Sequence, residues 1–384
     1  MNQPILIDDQ RGWQRVAAEL ASEPLLALDT ESNSLHTYRE RVCLIQIATA
    51  GDIFLLDPLA VTDLSALGSL LADPSISKVF HGSDYDVRCL QRDYGFTVRS
   101  LFDTEMAARF LGSPRTNLSS LLESFLGVVI PKSRAVQTSD WARRPLNSLA
   151  LEYAANDVRY LPDLAGVLQQ QLVNARRLDW VTEECRRLEQ VRHAPADPPE
   201  AAMLRIKGSS RLGSRGLAVL KELFLFREEE ARRIDCPPFR VLTNEALLIL
   251  AGSPGMGLHQ VRGLTSAIAR QAGDRIREAI QRGMCGPVVH RTQPKNNAWE
   301  PEARARLQSL KVWRVRHGAS LGLDPALVWP AASLERLALG WNGSADESPD
   351  GAAQEVRSWQ RREFSQELRQ ALVRVFCTRN FDPV

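Results

Sequence analysis

The sequence contains no apolar run approaching the roughly 20 residues that a membrane-spanning helix needs. Its start, Met1 to Pro4 followed by a short apolar patch and Asp8-Asp9, lacks the basic stretch and long apolar core of a secretory signal, so a cytoplasmic protein without membrane association is expected. Cysteine is sparse and scattered. Cys43, Cys89, Cys185, Cys236, Cys285 and Cys377 form no C-x-x-C pair, which argues against a zinc ribbon and against a disulfide framework. The two signs of charge nearly balance, and a net charge of +2 neither requires nor excludes a polyanionic partner.

What is present describes a folded chain of several parts. Hydrophobic residues make up 44% of it, and 384 residues exceed what one core organises, so two or three domains are expected. The first 60 residues read as strands: 25–31, 42–49 and 52–57 are rich in Leu, Ile and Val and separated by turn formers such as Ala50-Gly51-Asp52, which predicts a meander. Residues 76–80 predict one more strand. The period then changes, with Val87, Leu90 and Tyr94 at helical spacing, and 103–111, 117–126 and 148–172 predict helices. Strands followed by helices indicate an α/β or mixed-sheet domain. The proline-rich stretch 193–200 predicts a linker that cannot hold a helix, and 286–301 a second one. From 205 onward the pattern is almost entirely helical.

The two C-terminal regions resemble each other. A shift of 87 residues, without a gap, places Leu220 on Leu307, Leu223 on Leu310, Arg227 on Arg314, Pro238 on Pro325, Val241 on Val328, Leu247 on Leu334 and Ala251 on Ala338. A proline and an arginine in register with the leucines favour a diverged duplication over chance amphipathic spacing. The second copy carries an insertion at 342–353, expected to be a mobile loop. Basic residues cluster between Arg205 and Arg240, where a solvated helix face is the plain reading.

Carboxylates form the informative pattern. Asp29 and Glu31 lie two apart on a predicted strand and therefore share a face; flanking Leu25, Leu26 and Leu28 bury that strand, where paired carboxylates repel unless a hard cation such as Mg²⁺ or Mn²⁺ neutralises them. In His81-Gly-Ser-Asp-Tyr-Asp86, Asp84 is placed as a helix N-cap and Asp86 in the first turn. Tyr153 and Asp157, four apart on a helix, share a face as one metal ligand and one group able to orient water. Each fragment alone is common on protein surfaces.

Together, the Asp29-Thr30-Glu31 strand, Asp86 with Leu90-Gln-Arg-Asp-Tyr-Gly95 and Asp103-Thr104, then Ser139-Asp-Trp-Ala-Arg-Arg-Pro-Leu146 and Tyr153-x-x-x-Asp157, resemble the ordered motifs of the DEDD 3′→5′ exonucleases. Tyrosine in the last motif resembles the ribonuclease D branch. Leu217-Ala-Val-Leu-Lys-Glu-Leu, Arg227-Glu-Glu-Glu-Ala-Arg and Pro237-Pro238 resemble the helicase and RNase D C-terminal (HRDC) domain. The resemblance implies an RNase H-like mixed-sheet α/β exonuclease domain at 1–190, an all-α HRDC domain at 203–285 and a second, diverged HRDC-like domain at 300–384.

It further implies two-metal hydrolysis with Mg²⁺ or Mn²⁺, two ions per site, releasing nucleoside 5′-monophosphates from the single-stranded 3′ end of RNA, precursor tRNA above all, without an obligatory protein partner. Asp29 would bridge both ions, Glu31 and Asp157 would complete the water-activating site, Asp86 would support the other ion through its solvation shell, and Tyr153 would hold the attacking water. His81, Lys132 and Arg144 are candidate RNA contacts, with Trp141 for stacking or core packing. Lys207, Arg211, Arg215 and Lys221 are candidates to hold RNA beyond the site, and the catalytic region is expected to stand alone when the chain is cut near Pro195. The alternatives are a DNA 3′→5′ exonuclease and a non-catalytic nucleic-acid-binding protein.

Overall fold

The computed structural model describes residues 3–131, 133–195, 197–291, 300–340 and 355–377. Strands Ile5–Ile7 (β1), Leu25–Ser32 (β2), Val42–Ala48 (β3), Ile53–Leu56 (β4), Ser77–Phe80 (β5) and Leu101–Asp103 (β6) form one sheet in the order β1-β4-β3-β2-β5-β6. The central β2-β3-β4 meander is antiparallel, whereas β1 runs parallel to β4, β5 to β2 and β6 to β5. Every residue of β3 is buried, as a strand covered by helices on both faces requires.

Helices Gln10–Leu20 (α1), Ser65–Ala72 (α2), Asp84–Tyr94 (α3), Thr104–Phe110 (α4), Leu118–Leu121 (α5), Arg134–Gln137 (α6), Ser148–Arg159 (α7), Leu161–Asn174 (α8) and Leu178–Leu188 (α9) flank this sheet. The first 60 residues are not all strand, because α1 buries Trp13, Ala17 and Leu20 at helical spacing behind an Asp9 cap that accepts from the Gly12 amide at 2.8 Å. Residues 148–172 form two helices, broken at Tyr160; Pro162 sits in the first turn of α8, where no amide donor is missed.

The C-terminal half holds Pro199–Leu204 (α10), Ser214–Arg233 (α11), Pro238–Val241 (α12), Asn244–Gly252 (α13), Ser266–Cys285 (α14), Pro301–Leu321 (α15), Pro325–Val328 (α16), Ala331–Gly340 (α17) and Ser358–Cys377 (α18). The stretch 193–200 therefore does enter a helix, since Pro199 occupies the first helical position. The other expected linker is described only in part, and the 342–353 insertion lies outside the described residues. Helices α11, α12 and α13 begin at Ser214, Pro238 and Asn244, and α15, α16 and α17 begin 87 residues later at Pro301, Pro325 and Ala331. Leu223 and Leu310, Val241 and Val328, and Leu247 and Leu334 are buried in both copies. The aligned arginines make corresponding ties: Arg227 donates to Asn244 Oδ1 at 2.8 Å, and Arg314 to the Trp329 carbonyl at 3.2 Å.

The copies differ in where their cores lie. The first has a hydrophobic core of its own, built around Leu220, Leu223, Leu247, Leu250 and Ile276. The second shares one continuous core with the N-terminal domain. Trp359 stacks on Trp180 at 4.6 Å between centroids and meets Phe110 edge-on at 5.3 Å, while Glu184 accepts from Trp359 Nε1 at 3.1 Å and from Arg357 Nε at 2.8 Å. Arg177 bridges the two parts through the carbonyls of Phe110 and Leu321. The expectation that residues 1–195 stand alone overlooks this shared core, because excision would leave Phe110 and Trp180 facing water.

Candidate active site

Alternation along β2 puts Leu25, Ala27, Asp29 and Glu31 on one face and Leu26, Leu28 and Thr30 on the other. Helix α7 packs across β2, β3 and β4. Its N-terminus is fixed by Asn147, whose side chain accepts from the Ala150 amide at 2.8 Å, and buried Ala150, Ala154 and Ala155 permit close approach. One turn apart, Tyr153 and Asp157 reach the carboxylates of β2. Oxygen atoms of Asp29, Glu31 and Asp157 all lie within 4.8 Å of one another. The register slips between Glu31 and Ser32, so a bulge ends regular pairing at the site.

Asp86 comes from the opposite side. It is buried in the first turn of α3, where its Oδ1 accepts a 2.5 Å hydrogen bond from the Thr30 hydroxyl. Asp84, by contrast, is no N-cap: Ser83 occupies that position, and Asp84 pairs with Arg88 at 2.7 Å. The carboxylate that orders this turn is Asp103, unassigned in the sequence reading beyond its place in a motif. It accepts from the Gly82 amide at 3.1 Å and from the Ser83 amide and hydroxyl at 2.7 Å, and it also caps α4. Gly82 is left-handed, φ +73°, and a Cβ there would meet Glu105 Oε2 at 3.0 Å.

Burial and crowding govern the ionisation of this cluster. Burial, then the neighbouring Asp157, pushes the Asp29 carboxyl up to about 8, and burial raises Asp157 to about 7. Glu31 and Asp86 are raised by burial first and by neighbouring carboxylates second. Burial also raises the Tyr153 phenol, which is therefore protonated at neutral pH and a donor or acceptor of hydrogen bonds, not a base. Three crowded carboxylates with hard oxygen donors suit a divalent cation, whose charge offsets the repulsion that otherwise retains protons here.

A cavity of about 350 Å³ opens over these groups, lined by Asp29, Glu31, His81, Tyr85, Tyr153 and Asp157 among others. His81 belongs to this wall. Its Nδ1 lies 3.0 Å from the Thr104 hydroxyl, which donates to the Phe80 carbonyl at 3.0 Å, so Nδ1 carries the hydrogen and Nε2 is an acceptor. Burial lowers its pKa, keeping the ring neutral.

Two other expected RNA contacts are corrected. Trp141 is 1% exposed and lies against Tyr153, 6.2 Å between centroids, so it supports the tyrosine from the core and is not a platform for bases. Arg144 is consumed by structure: it forks onto Asp57 at 2.5 and 2.8 Å and donates to the carbonyls of Trp141, Arg143 and Cys43. Lys132 lies outside the described residues. Of the distal candidates, Lys207 and Arg211 are exposed, whereas Arg215 donates to the carbonyls of Gly283 and Gly286 and Lys221 pairs with Glu200 at 2.9 Å.

The first helical copy reaches the rim of the cavity. Tyr38, in the β2-β3 loop, donates its amide to Asp235 at 3.1 Å and lies under the Arg232 guanidinium, 5.4 Å from its ring centroid. His36 donates to the Thr138 carbonyl at 3.0 Å and accepts from Arg240 at 3.3 Å, joining that loop, α12 and the segment carrying Gln137 and Ser139.

A mixed sheet whose central strand and covering helix converge three carboxylates and a tyrosine defines a 3′→5′ exonuclease, and residues 4–173 match the model of the 3′-5′ exonuclease family while 216–280 match that of the HRDC domain. The chain is 34% identical to ribonuclease D of Acidiphilium cryptum (strain JF-5), covering 88% of this chain and 86% of that one. It is 31% identical to ribonuclease D of Pseudomonas paraeruginosa (strain DSM 24068 / PA7), covering 95% and 96%. Escherichia coli RNase D, an exoribonuclease involved in structured RNA processing, superposes with a TM-score of 0.71 at 25% identity over 97% of this chain and 99% of that one. The chain belongs to the ribonuclease D family.

Proposed function

We propose that this 3′→5′ exoribonuclease shortens single-stranded RNA tails one nucleotide at a time, releasing nucleoside 5′-monophosphates, with precursor tRNA in the cytoplasm as its substrate. The observation that carries the reading is the convergence of Asp29, Glu31 and Asp157 beside Tyr153 in one cavity. Asp29, Glu31 and Asp157 would hold two divalent cations, Mg²⁺ or Mn²⁺, with Asp86 behind them; when bound, such ions neutralise the phosphate and lower the pKa of water. Tyr153, protonated and braced by Trp141, orients the attacking water by hydrogen bonding. His81 offers its bare Nε2 to a hydroxyl of the terminal sugar.

The helical copies serve as an HRDC domain at 203–285 and a second, diverged HRDC-like domain at 300–384. The first one's contacts with Tyr38 and His36 support a role at the entrance of the cavity, and exposed Lys207 and Arg211 support contact with phosphates beyond the terminal nucleotide. A single-stranded RNA and the matched DNA, each with a free 3′ end, test the proposal. Stepwise loss from the 3′ end of the RNA, abolished by EDTA, restored by Mg²⁺ or Mn²⁺ and lost in D29N, is the expected result. Preferred digestion of the DNA, or activity unaffected by EDTA, would overturn it.

A further inference from the structure

Gln46 is the single polar residue of β3, and it is fully buried. Neither Nε2 nor Oε1 has a hydrogen-bond partner among the described residues. Both ends of a buried amide left unpaired are uncommon, and an apolar side chain would fill the position without that penalty. The register explains where the amide lies. Gln46 is paired with Asp29 across the antiparallel β2-β3 ladder and with Leu55 across β3-β4. Directly opposed residues point to the same face with Cβ atoms about 4.5–5.5 Å apart. Around Gln46 on that face the ladders place Ala27, Leu44, Ala48 and Leu55, none of which can hydrogen-bond through a side chain. Within cross-strand reach, Asp29 opposite and Glu31 on the β2 diagonal offer polar side chains, Asp57 on the β4 diagonal already accepts from Arg144 and the Leu59 amide, and α7 closes the face from above.

We propose that Gln46 is a positioning residue of the metal site, its amide N–H held ready to fix the Asp29 carboxylate in the orientation that a divalent cation requires. The residue never touches RNA or cation; it acts through Asp29, in the manner of the outer hydrogen bonds that orient ligating carboxylates. This inference rests on the cation-binding reading of the carboxylate cluster.

The test uses Mn²⁺ as probe and the full chain without RNA. Free Mn²⁺ is counted by electron paramagnetic resonance, and melting is followed in EDTA. Gln46→Met keeps the length of the side chain and removes both polar atoms. We expect it to melt in EDTA at or above the wild-type temperature, having lost an unpaired amide, and yet to bind Mn²⁺ about 10- to 100-fold more weakly. Should Gln46→Met fail to fold, Gln46→Leu is judged by the same criterion. A folded variant that binds Mn²⁺ within about twofold of wild type overturns the inference, because a purely structural amide leaves affinity unmoved. If the wild-type chain itself binds no Mn²⁺, the failure belongs to the cation-binding reading, and the two outcomes are distinguishable.

Discussion

The hydroxyl of Thr30 donates a 2.5 Å hydrogen bond to Asp86, fastening α3 to the strand that carries Asp29 and Glu31. Thr30 points to the face opposite its two acidic neighbours, so this bond ties the Asp86 carboxylate to the strand directly, while Ser32 with Tyr85 at 2.9 Å and the Val42 amide with Asp93 at 2.7 Å hold the body of α3. Thr30→Val keeps the shape and the strand preference but removes the donor. Leaving a buried acceptor unpaired should cost about 1–3 kcal/mol of stability. Misorienting Asp86 should lower hydrolysis on the order of 10-fold, the low end for a group that orients a ligand. Urea denaturation and single-turnover kinetics on a short RNA check both numbers, and unchanged kinetics would mean that Asp86 needs no such tether.

That bond shows where the sequence stopped being legible. Asp29 and Glu31 are readable as a pair because the strand period is two, and Tyr153 and Asp157 because the helix brings every fourth residue onto one face. Thr30 and Asp86 are 56 residues apart, and no local period connects them. The same limit misplaced Arg144. A basic residue beside an aromatic in a motif suggests a phosphate contact, but its partner Asp57 lies 87 residues earlier across the fold. Helix α1 escaped the sequence reading although Trp13, Ala17 and Leu20 recur at helical spacing, because its span of three turns between two strands offers few repeats of that period. That the second helical copy shares a core with the first domain depends on Trp180 and Trp359, whose meeting only the tertiary fold determines.

Arg144 yields a prediction that separates structure from RNA binding. Arg144→Ala leaves Asp57, 4% exposed, without its guanidinium and frees the Cys43 carbonyl. Breaking such a pair from one side should cost about 3 kcal/mol, and Arg144→Lys should recover only part, since an ammonium cannot fork onto a carboxylate. Fluorescence anisotropy with a single-stranded RNA, in the cold where the variant is folded, should show unchanged affinity. A tenfold loss of affinity at full folding would restore Arg144 as a phosphate contact.

The carboxylate cluster fixes the sign of a pH effect. In the unfolded chain these groups titrate near 4; in the folded, metal-free protein Asp157 is raised to about 7 and Asp29 to about 8. Between those values the folded state holds protons that the unfolded state has released, so this contribution to stability is full below pH 4 and is lost as pH rises to about 8. Cation affinity should move the opposite way, climbing over the same window as metal displaces the protons. Melting in EDTA at several pH values, wild type against Asp29→Asn, isolates the effect: the substitution should flatten the decline. A wild-type protein that grows more stable relative to Asp29→Asn as pH rises from 5 to 8 would contradict the assignment.

The last prediction concerns the second helical copy and follows from Trp359. Its ring is fully buried, stacked on Trp180 and edge-on to Phe110, and its Nε1 donates to Glu184, which also binds Arg357. Trp359→Ala opens a cavity between α9 and α18 and removes one of the donors to Glu184, so a loss of about 3–5 kcal/mol is expected. Deleting 300–384 removes the whole covering and exposes Phe110 and Trp180 together, and it should yield a protein that melts far lower or aggregates. Removal of the first copy carries no such consequence for the catalytic core, since that copy meets the N-terminal domain through Tyr38 and His36 rather than through a shared interior. The two effects are separated by urea unfolding of Trp359→Ala in the full chain, followed by its turnover of a short RNA at a temperature where it is folded. Stability should fall while turnover per folded molecule stays near wild type, because among the described residues none of α18 lines the cavity over the carboxylates. Wild-type stability in Trp359→Ala would mean that this packing is dispensable, and the second copy would then be a separable domain like the first.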